Sequence, residues 1–68
     1  MALSQHIISV ADLRPGDTYS EELGGYRSTV ETITERGDDP FGRPYVEINH
    51  TDGKFRLRVT TDQLWRDN

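Results

Sequence analysis

The chain has 68 residues, of which 32% are hydrophobic, and its formal net charge is −4. This length predicts one small domain, residues 1–68, which buries only about 60% of its unfolded surface. Because the sequence contains no cysteine, disulfide bonds and cysteine-ligated zinc sites are excluded.

The beginning of the chain lacks the features of a targeting segment. Residues 1–8 have neither the basic start nor the long apolar stretch of a signal peptide. No run approaches the roughly 20 apolar residues of a membrane-spanning helix. We therefore expect a cytoplasmic protein without membrane contact. Its acidic charge makes nucleic acid a less favourable partner than protein.

The first third of the sequence predicts two short strands separated by a turn. Residues 7–10 are apolar enough for a first strand. Pro15 presets φ for the first central position of a turn, and Gly16 tolerates the positive φ that a type II turn requires next. Residues 18–23 then form a second short strand or an irregular arm, which the pair Gly24 and Gly25 ends.

The middle of the chain predicts a strand followed by a long loop. Residues 26–35 are rich in β-branched side chains, which favours a strand. Val30 and Ile33 have opposite parity, so either a β-bulge brings both to the core or a regular strand leaves one exposed. Residues 36–44 contain two prolines and two glycines, and we expect this loop to be the most mobile segment.

Residues 45–50 and 54–60 alternate between apolar and polar side chains and predict a β-hairpin. A two-residue type I′ loop at Asp52 and Gly53 would place all the apolar side chains on one face. A three-residue loop with a bulge at Gly53 would instead oppose Ile48 to Arg56 and mix the two faces. We therefore predict the two-residue loop, which also pairs Glu47 with Arg58. Its inner face carries Val46, Ile48, Phe55, Leu57 and Val59.

The last residues predict a single helical turn, because Thr61 or Asp62 offers an N-cap ahead of Leu64 and Trp65. The predicted fold is all-β, with about five short strands in a small barrel or a strongly bent antiparallel sheet. The hairpin is expected to share its core with Val10, Leu13, Leu23, Val30, Ile33, Leu64 and Trp65.

The turn at residues 13–17, the meander of three strands over residues 26–60 and the short turn after it resemble an SH3-like small β-barrel. The pattern is most similar to small uncharacterised proteins of actinobacteria and their bacteriophages. This resemblance implies a binding habit and carries no catalytic residues. One departure is the short segment after Trp65, which leaves an open sheet completed by a second subunit as an alternative.

No group of residues in the sequence predicts catalysis. His6 and His50 have no acidic residue at a motif spacing, and both are expected to be structural or exposed. Asp38, Asp39 and Asp52 match no metal-binding loop and are interpreted as solvated charges. We therefore expect a protein that is not an enzyme and that needs no cofactor or metal.

Unassigned aromatic residues suggest a binding surface for another protein. Phe41 lies in the loop, Tyr45 lies on the outer face of the hairpin, and Tyr26 begins the third predicted strand. With Arg43 they form the predicted partner-binding site, since exposed aromatic patches mark interfaces. The predicted function is a non-enzymatic interaction module that binds another protein, such as a host protein of a phage, or self-associates.

A nucleic-acid interface is the alternative prediction. Lys54, Arg56 and Arg58 alternate along one strand and therefore share a face. Basic side chains beside aromatic ones are what a small barrel uses to hold a nucleic-acid strand. Glu47, predicted among them, partly neutralises this stripe, so nucleic acid ranks second.

Overall fold

The computed structural model describes residues 4–68 and shows an all-β chain. A 3₁₀ turn at Val10–Asp12 follows the first of six strands. The strands are β1 (Gln5–Ser9), β2 (Thr18–Ser20), β3 (Ser28–Asp38), β4 (Pro44–His50), β5 (Phe55–Val59) and β6 (Gln63–Asp67). The all-β prediction is confirmed, with six strands instead of about five.

The six strands form one antiparallel sheet in the order β1-β6-β2-β3-β4-β5. Strand β3 joins its two halves, because Ser28 and Thr29 pair with β2 whereas Val30 and the residues after it pair with β4. The sheet does not close, since β1 pairs only with β6 and β5 pairs only with β4 within residues 4–68. Of the two predicted architectures, the open sheet is therefore the one that forms, and the closed SH3-like barrel is not.

The turn before β2 has the geometry that its sequence predicts. Asp17 donates its backbone N–H to the carbonyl of Arg14 at 3.0 Å. Gly16 between them has φ of +92°, a conformation that favours glycine. The turn also directs the preceding Leu13 into the core, where it is fully buried.

Strand β3 contains the predicted bulge and is longer than expected. Its pairing with β4 shifts between Val30 and Thr32, which confirms the bulge and brings both Val30 and Ile33 to the core. A second shift follows at Gly37, whose φ of +95° lets the strand continue to Asp38. The prediction of a loop over residues 36–44 is therefore wrong in extent, because only residues 39–43 separate β3 from β4.

The turn between β4 and β5 is a three-residue loop and not the predicted two-residue loop. Gly53 donates to the carbonyl of His50 at 3.0 Å, and His50 donates to the carbonyl of Lys54 at 2.8 Å. Gly53 has φ of +87°, but Asp52 does not have the positive φ that a type I′ turn requires. The loop is thus a type I turn closed by a glycine bulge.

This turn shifts β5 by one residue relative to the prediction. Ile48 lies opposite Arg56, and Val46 lies opposite Arg58. Directly opposed residues share a face of the sheet, so the arginines lie on the core side and the apolar residues of β5 lie on the other. Phe55, Leu57 and Val59 consequently leave the predicted core, and the exposures of Phe55 and Leu57 are 59% and 50%.

The end of the chain forms strand β6 and not a helical turn. Leu64 pairs with Ile8 of β1, and Trp65 pairs with both Ile7 of β1 and Ser20 of β2. Lying between two strands, β6 satisfies its backbone groups on both sides, which a single helical turn would not achieve. The predicted helical turn is wrong because residues 63–67 pair with β1, a strand near the other end of the chain.

The core is small and lies between the 3₁₀ turn, β2, β3, β4 and β6. Its polar members are His50 and Ser20, and Tyr19 OH lies 2.7 Å from His50 Nε2. Burial of each apolar side chain contributes about 1.5–3 kcal/mol. Leu23, which was predicted to be in the core, is exposed because β2 ends at Ser20. The buried apolar residues are Val10, Leu13, Tyr19, Val30, Val46, Ile48 and Leu64.

Candidate functional site

The loop between β3 and β4, residues 39–43, is organised by one carboxylate. We call this segment the tip loop. Asp39 Oδ1 accepts hydrogen bonds from the backbone N–H groups of Phe41 and Arg43, both at 2.9 Å. Asp39 Oδ2 accepts from Arg43 Nε at 2.8 Å. The sequence favours this turn, because aspartate, proline and glycine occupy their preferred positions in a type I turn.

The charge on Asp39 is part of what holds the tip loop. Hydrogen bonds from the backbone and side chain of Arg43, with a further one from Phe41, lower the pKa of the Asp39 carboxyl. These three hydrogen bonds and the positive charge of Arg43 therefore favour the ionised form at neutral pH. Three hydrogen bonds thus connect residues of the loop that the sequence predicts to be the most mobile segment.

The tip loop presents an aromatic ring to solvent. Phe41 is 82% exposed, which is more than any other large apolar residue of 4–68. The guanidinium carbon of Arg43 lies 5.4 Å from the centre of this ring, within cation–π range. Because Asp39 holds Arg43 by a hydrogen bond of 2.8 Å, the ring lies beside a cation that is itself held in place.

A row of apolar side chains begins next to the tip loop and follows the hairpin of β4 and β5. We call it the outer row, and it consists of Tyr45, Phe55, Leu57 and Val59. Tyr45 lies directly opposite Val59 across the two strands, and Leu57 lies opposite Glu47. Tyr45, Leu57 and Val59 line a shallow depression of about 340 Å³, whose other wall includes Pro40 of the tip loop.

The polar residues on this face are paired with one another. Arg36 donates to Glu47 at 2.6 Å, and Asn49 donates to the same carboxylate at 3.0 Å. Both contacts lower the pKa of Glu47, with Arg36 having the larger effect. The predicted pair of Glu47 with Arg58 is therefore wrong, because the one-residue shift moves Arg58 to the other face.

The basic residues of the hairpin lie on the core side of the sheet, beyond the edge of the core. Arg58 contacts Glu21 at 2.6 Å. Lys54 and Arg56 form no ion pair with any residue of 4–68. They line a depression of about 490 Å³ together with Tyr26, which is 79% exposed.

The structure divides the four residues of the predicted partner site into two places. Phe41, Arg43 and Tyr45 lie together at the start of β4. Tyr26 lies near the opposite end, since the depression that it lines also includes His50 and Gly53. Strand β4 has seven residues, which corresponds to about 20 Å between these places.

Sequence reasoning missed Phe55 and Leu57 as surface residues because it assigned the wrong turn. The sequence does contain an indication of the correct turn, which is a glycine at its fourth position. Gly42 is the fourth residue of the turn that begins at Asp39, and Gly53 is the fourth residue of the turn that begins at His50. Both glycines have positive φ, so the two hairpins share one turn geometry.

The two histidines occupy structural positions. His50 is buried and bonded to Tyr19, whose pKa is raised to about 12, chiefly by burial. His6 lies on β1 between Arg66, at 2.9 Å, and the side chain of Asn68. These contacts tie the ends of the chain and the core together.

Within residues 4–68, no group of three or more His, Asp or Glu side chains is placed to hold a metal ion. The same part of the chain contains no helix that is long and apolar enough to span a membrane.

Comparison of the chain with protein-family models, with curated proteins and with solved structures found no match.

Proposed function

We propose that this chain is a non-enzymatic interaction module that binds another polypeptide through the outer row and the tip loop. The observation that carries the proposal is the exposure of Phe55 and Leu57 on a strand at the open edge of the sheet. Large apolar side chains that gather on one surface mark interaction sites more often than isolated ones do.

The geometry of the tip loop supports the same proposal. An aromatic side chain anchors a partner best when little conformational freedom is lost on binding. Phe41 meets this condition, because Asp39 and Arg43 fix the backbone and the neighbourhood of the ring. The depression lined by Pro40 and Tyr45 connects this anchor to the outer row.

The proposal is tested by panning a random-peptide display library against the immobilised chain. We expect enriched peptides, and we expect both Leu57→Ser and Phe41→Ala to weaken their binding about tenfold or more. Both side chains are at least half exposed, so these variants keep the fold, which the fluorescence of Trp65 checks.

Tyr26→Ala is the matched control, because it removes an equally exposed aromatic ring at the other end of β4. This variant is expected to bind the enriched peptides as the unchanged chain does. Enrichment no greater than on an unrelated immobilised domain would count against the proposal. So would peptides whose binding neither Leu57→Ser nor Phe41→Ala weakens.

A second candidate function is the binding of single-stranded nucleic acid in the depression around Tyr26. The observation in its favour is that Tyr26 lies beside Lys54 and Arg56, which combines a stacking surface with two cations. Glu22 and Asp52 near the same residues oppose it. It predicts salt-dependent retention of a labelled oligonucleotide that weakens in Arg56→Ser. Absence of retention at low salt would eliminate it.

A further inference from the structure

The open edge of β5 presents backbone hydrogen-bonding groups at alternate residues. His50 donates its N–H to the carbonyl of Lys54, and Thr60 donates its N–H to the carbonyl of Pro44. Hydrogen-bonded pairs alternate with non-hydrogen-bonded pairs in an antiparallel ladder, so positions 56 and 58, which lie between these two bonds, direct their backbone groups toward β4. Positions 55, 57 and 59 consequently point their groups to the open side, where no strand of residues 4–68 pairs.

The two faces of this edge differ in chemistry. One face carries the outer row. Its members on β5 are Phe55, Leu57 and Val59, and these are the residues whose backbone groups point to the open side. The other face carries three cations at alternate positions, of which Arg58 is already held by Glu21 at 2.6 Å. An added strand would therefore meet apolar side chains on one face and the unpaired cations Lys54 and Arg56 on the other.

A second copy of β5 does not complement this edge. Antiparallel pairing of two copies around Leu57 would place Arg56 of each copy opposite Arg58 of the other. Like charges that lie directly opposite each other destabilise a pair of strands. Basic residues along an edge strand are also a recognised means of preventing edges from pairing with themselves. The charge pattern thus selects an acidic occupant.

We propose that β5 accepts an extended segment of a partner protein as an added antiparallel strand, with alternating apolar and acidic residues. An apolar residue of the segment lies opposite Leu57 and exchanges two backbone hydrogen bonds with it. Acidic residues one and three positions later lie opposite Arg56 and Lys54. This inference rests on the proposed function and specifies the chemistry of the partner.

The test uses a fluorescein-labelled peptide of eight residues, alternating valine and glutamate, with both ends blocked. Its binding to the full chain is measured by fluorescence anisotropy. N-methylation of the valine amides removes the donors that face β5, and we expect it to weaken binding at least about tenfold. N-methylation of the glutamate amides is the matched control, because these amides point away from β5, and binding is expected to persist.

Charge is tested separately. Two exposed cross-strand ion pairs correspond to about 2- to 30-fold in affinity, so Lys54→Ser combined with Arg56→Ser is expected to weaken binding by that factor. Arg27→Ser is the control, since Arg27 pairs with Asp67 in the other half of the sheet. This variant should bind the peptide with the affinity of the unchanged chain. A peptide of alternating valine and lysine is expected to bind the unchanged chain only weakly. Its affinity should be no higher than the affinity of the glutamate peptide for the double variant.

The inference is overturned if N-methylation of the valine amides has no effect, or if the lysine peptide binds as tightly as the glutamate peptide. A dimer of the unbound chain at the concentrations of the assay, measured by light scattering, would also overturn it. Failure of the glutamate peptide while library peptides still depend on Leu57 and Phe41 would refute this partner chemistry and leave the proposed function standing. Failure of both kinds of peptide would refute both.

Discussion

The contact between Tyr19 and His50 is the main polar element of the core. Both side chains are almost completely buried, and their rings lie 5.6 Å apart with the hydroxyl directed at the imidazole. A buried polar atom that loses its partner destabilises a fold by about 1–3 kcal/mol. In a domain of this size such a loss is a large share of the total stability.

Tyr19→Phe is therefore expected to lower the free energy of unfolding by about 1–3 kcal/mol, because His50 Nε2 loses its partner. Urea denaturation followed by the fluorescence of Trp65 measures this change. Tyr26→Phe is the control, and its effect should stay within about 0.5 kcal/mol since Tyr26 is exposed. Equal stabilities of the two variants would show that the contact contributes nothing.

The order of the tip loop is expected to depend on pH through Asp39. Its pKa is lowered from the usual 3.8 by hydrogen bonds from Arg43 and Phe41, so ionisation of this carboxyl and formation of the loop favour each other. The stabilisation is complete above the pKa that the Asp39 carboxyl has in the unfolded chain. It is lost as the pH falls through the lower pKa of the folded chain.

We expect the amide resonances of Phe41 and Arg43 to shift together on acidification, with a midpoint below pH 3.8. The protection of the same amides against hydrogen exchange, relative to the intrinsic exchange rate at each pH, should then fall, because Asp39 no longer accepts their hydrogen bonds as an anion. Asp39→Asn keeps the size of the side chain and removes its ionisation. Persistence of the same titration in this variant would assign it to another group.

At the scale of the element, the sequence predicted best what neighbouring residues determine. Pro15 and Gly16 specify their turn locally, and the opposite parity of Val30 and Ile33 revealed the bulge within one strand. Strand β6 was missed because Leu64 acquires its partner Ile8 from the opposite end of the chain. No local pattern contains that information.

The register of β5 was missed for a different physical reason. The sequence disfavours the three-residue loop because this loop mixes apolar and charged side chains on one face, and that penalty applies only where the face is covered. Strand β5 lies at the edge of the sheet, beyond the core. Arg58 meets Glu21 there instead of apolar side chains, so the penalty is small. Phe41, Arg43 and Tyr45 of the candidate site were predicted from the sequence. Phe55 and Leu57 were not, because only this register brings them to the surface.

The conformation of Gly53 should then be decisive for the hairpin. Gly53→Ala forces a side chain into φ of +87° and is expected to lower the free energy of unfolding by about 1–2 kcal/mol. Gly53→Asn should be less destabilising, since asparagine tolerates this conformation. Thr51→Ala, at an exposed position of the same turn, is the control for urea denaturation. Equal effects of alanine and asparagine at position 53 would contradict this turn geometry.

At the scale of the whole molecule, the open sheet has two edges that must avoid pairing with other copies. Strand β1 is short and leads directly into the 3₁₀ turn. Strand β5 exposes Phe55 and Leu57 and is the greater hazard, because exposed apolar edges favour association. Its alternating cations oppose this hazard without removing the apolar surface that a partner needs.

Reversal of one of these charges is therefore expected to favour dimerisation of the chain. In antiparallel pairing around Leu57, Arg56→Glu places a carboxylate opposite Arg58 of the second copy, and symmetry makes this contact twice. Exchange of two repulsive pairs for two attractive ones should favour dimerisation at least about fivefold. Light scattering across a concentration series measures it. Arg56→Glu combined with Arg58→Glu restores like charges and should return the chain to a monomer. Equal masses of the two variants would show that charge on β5 does not control its pairing.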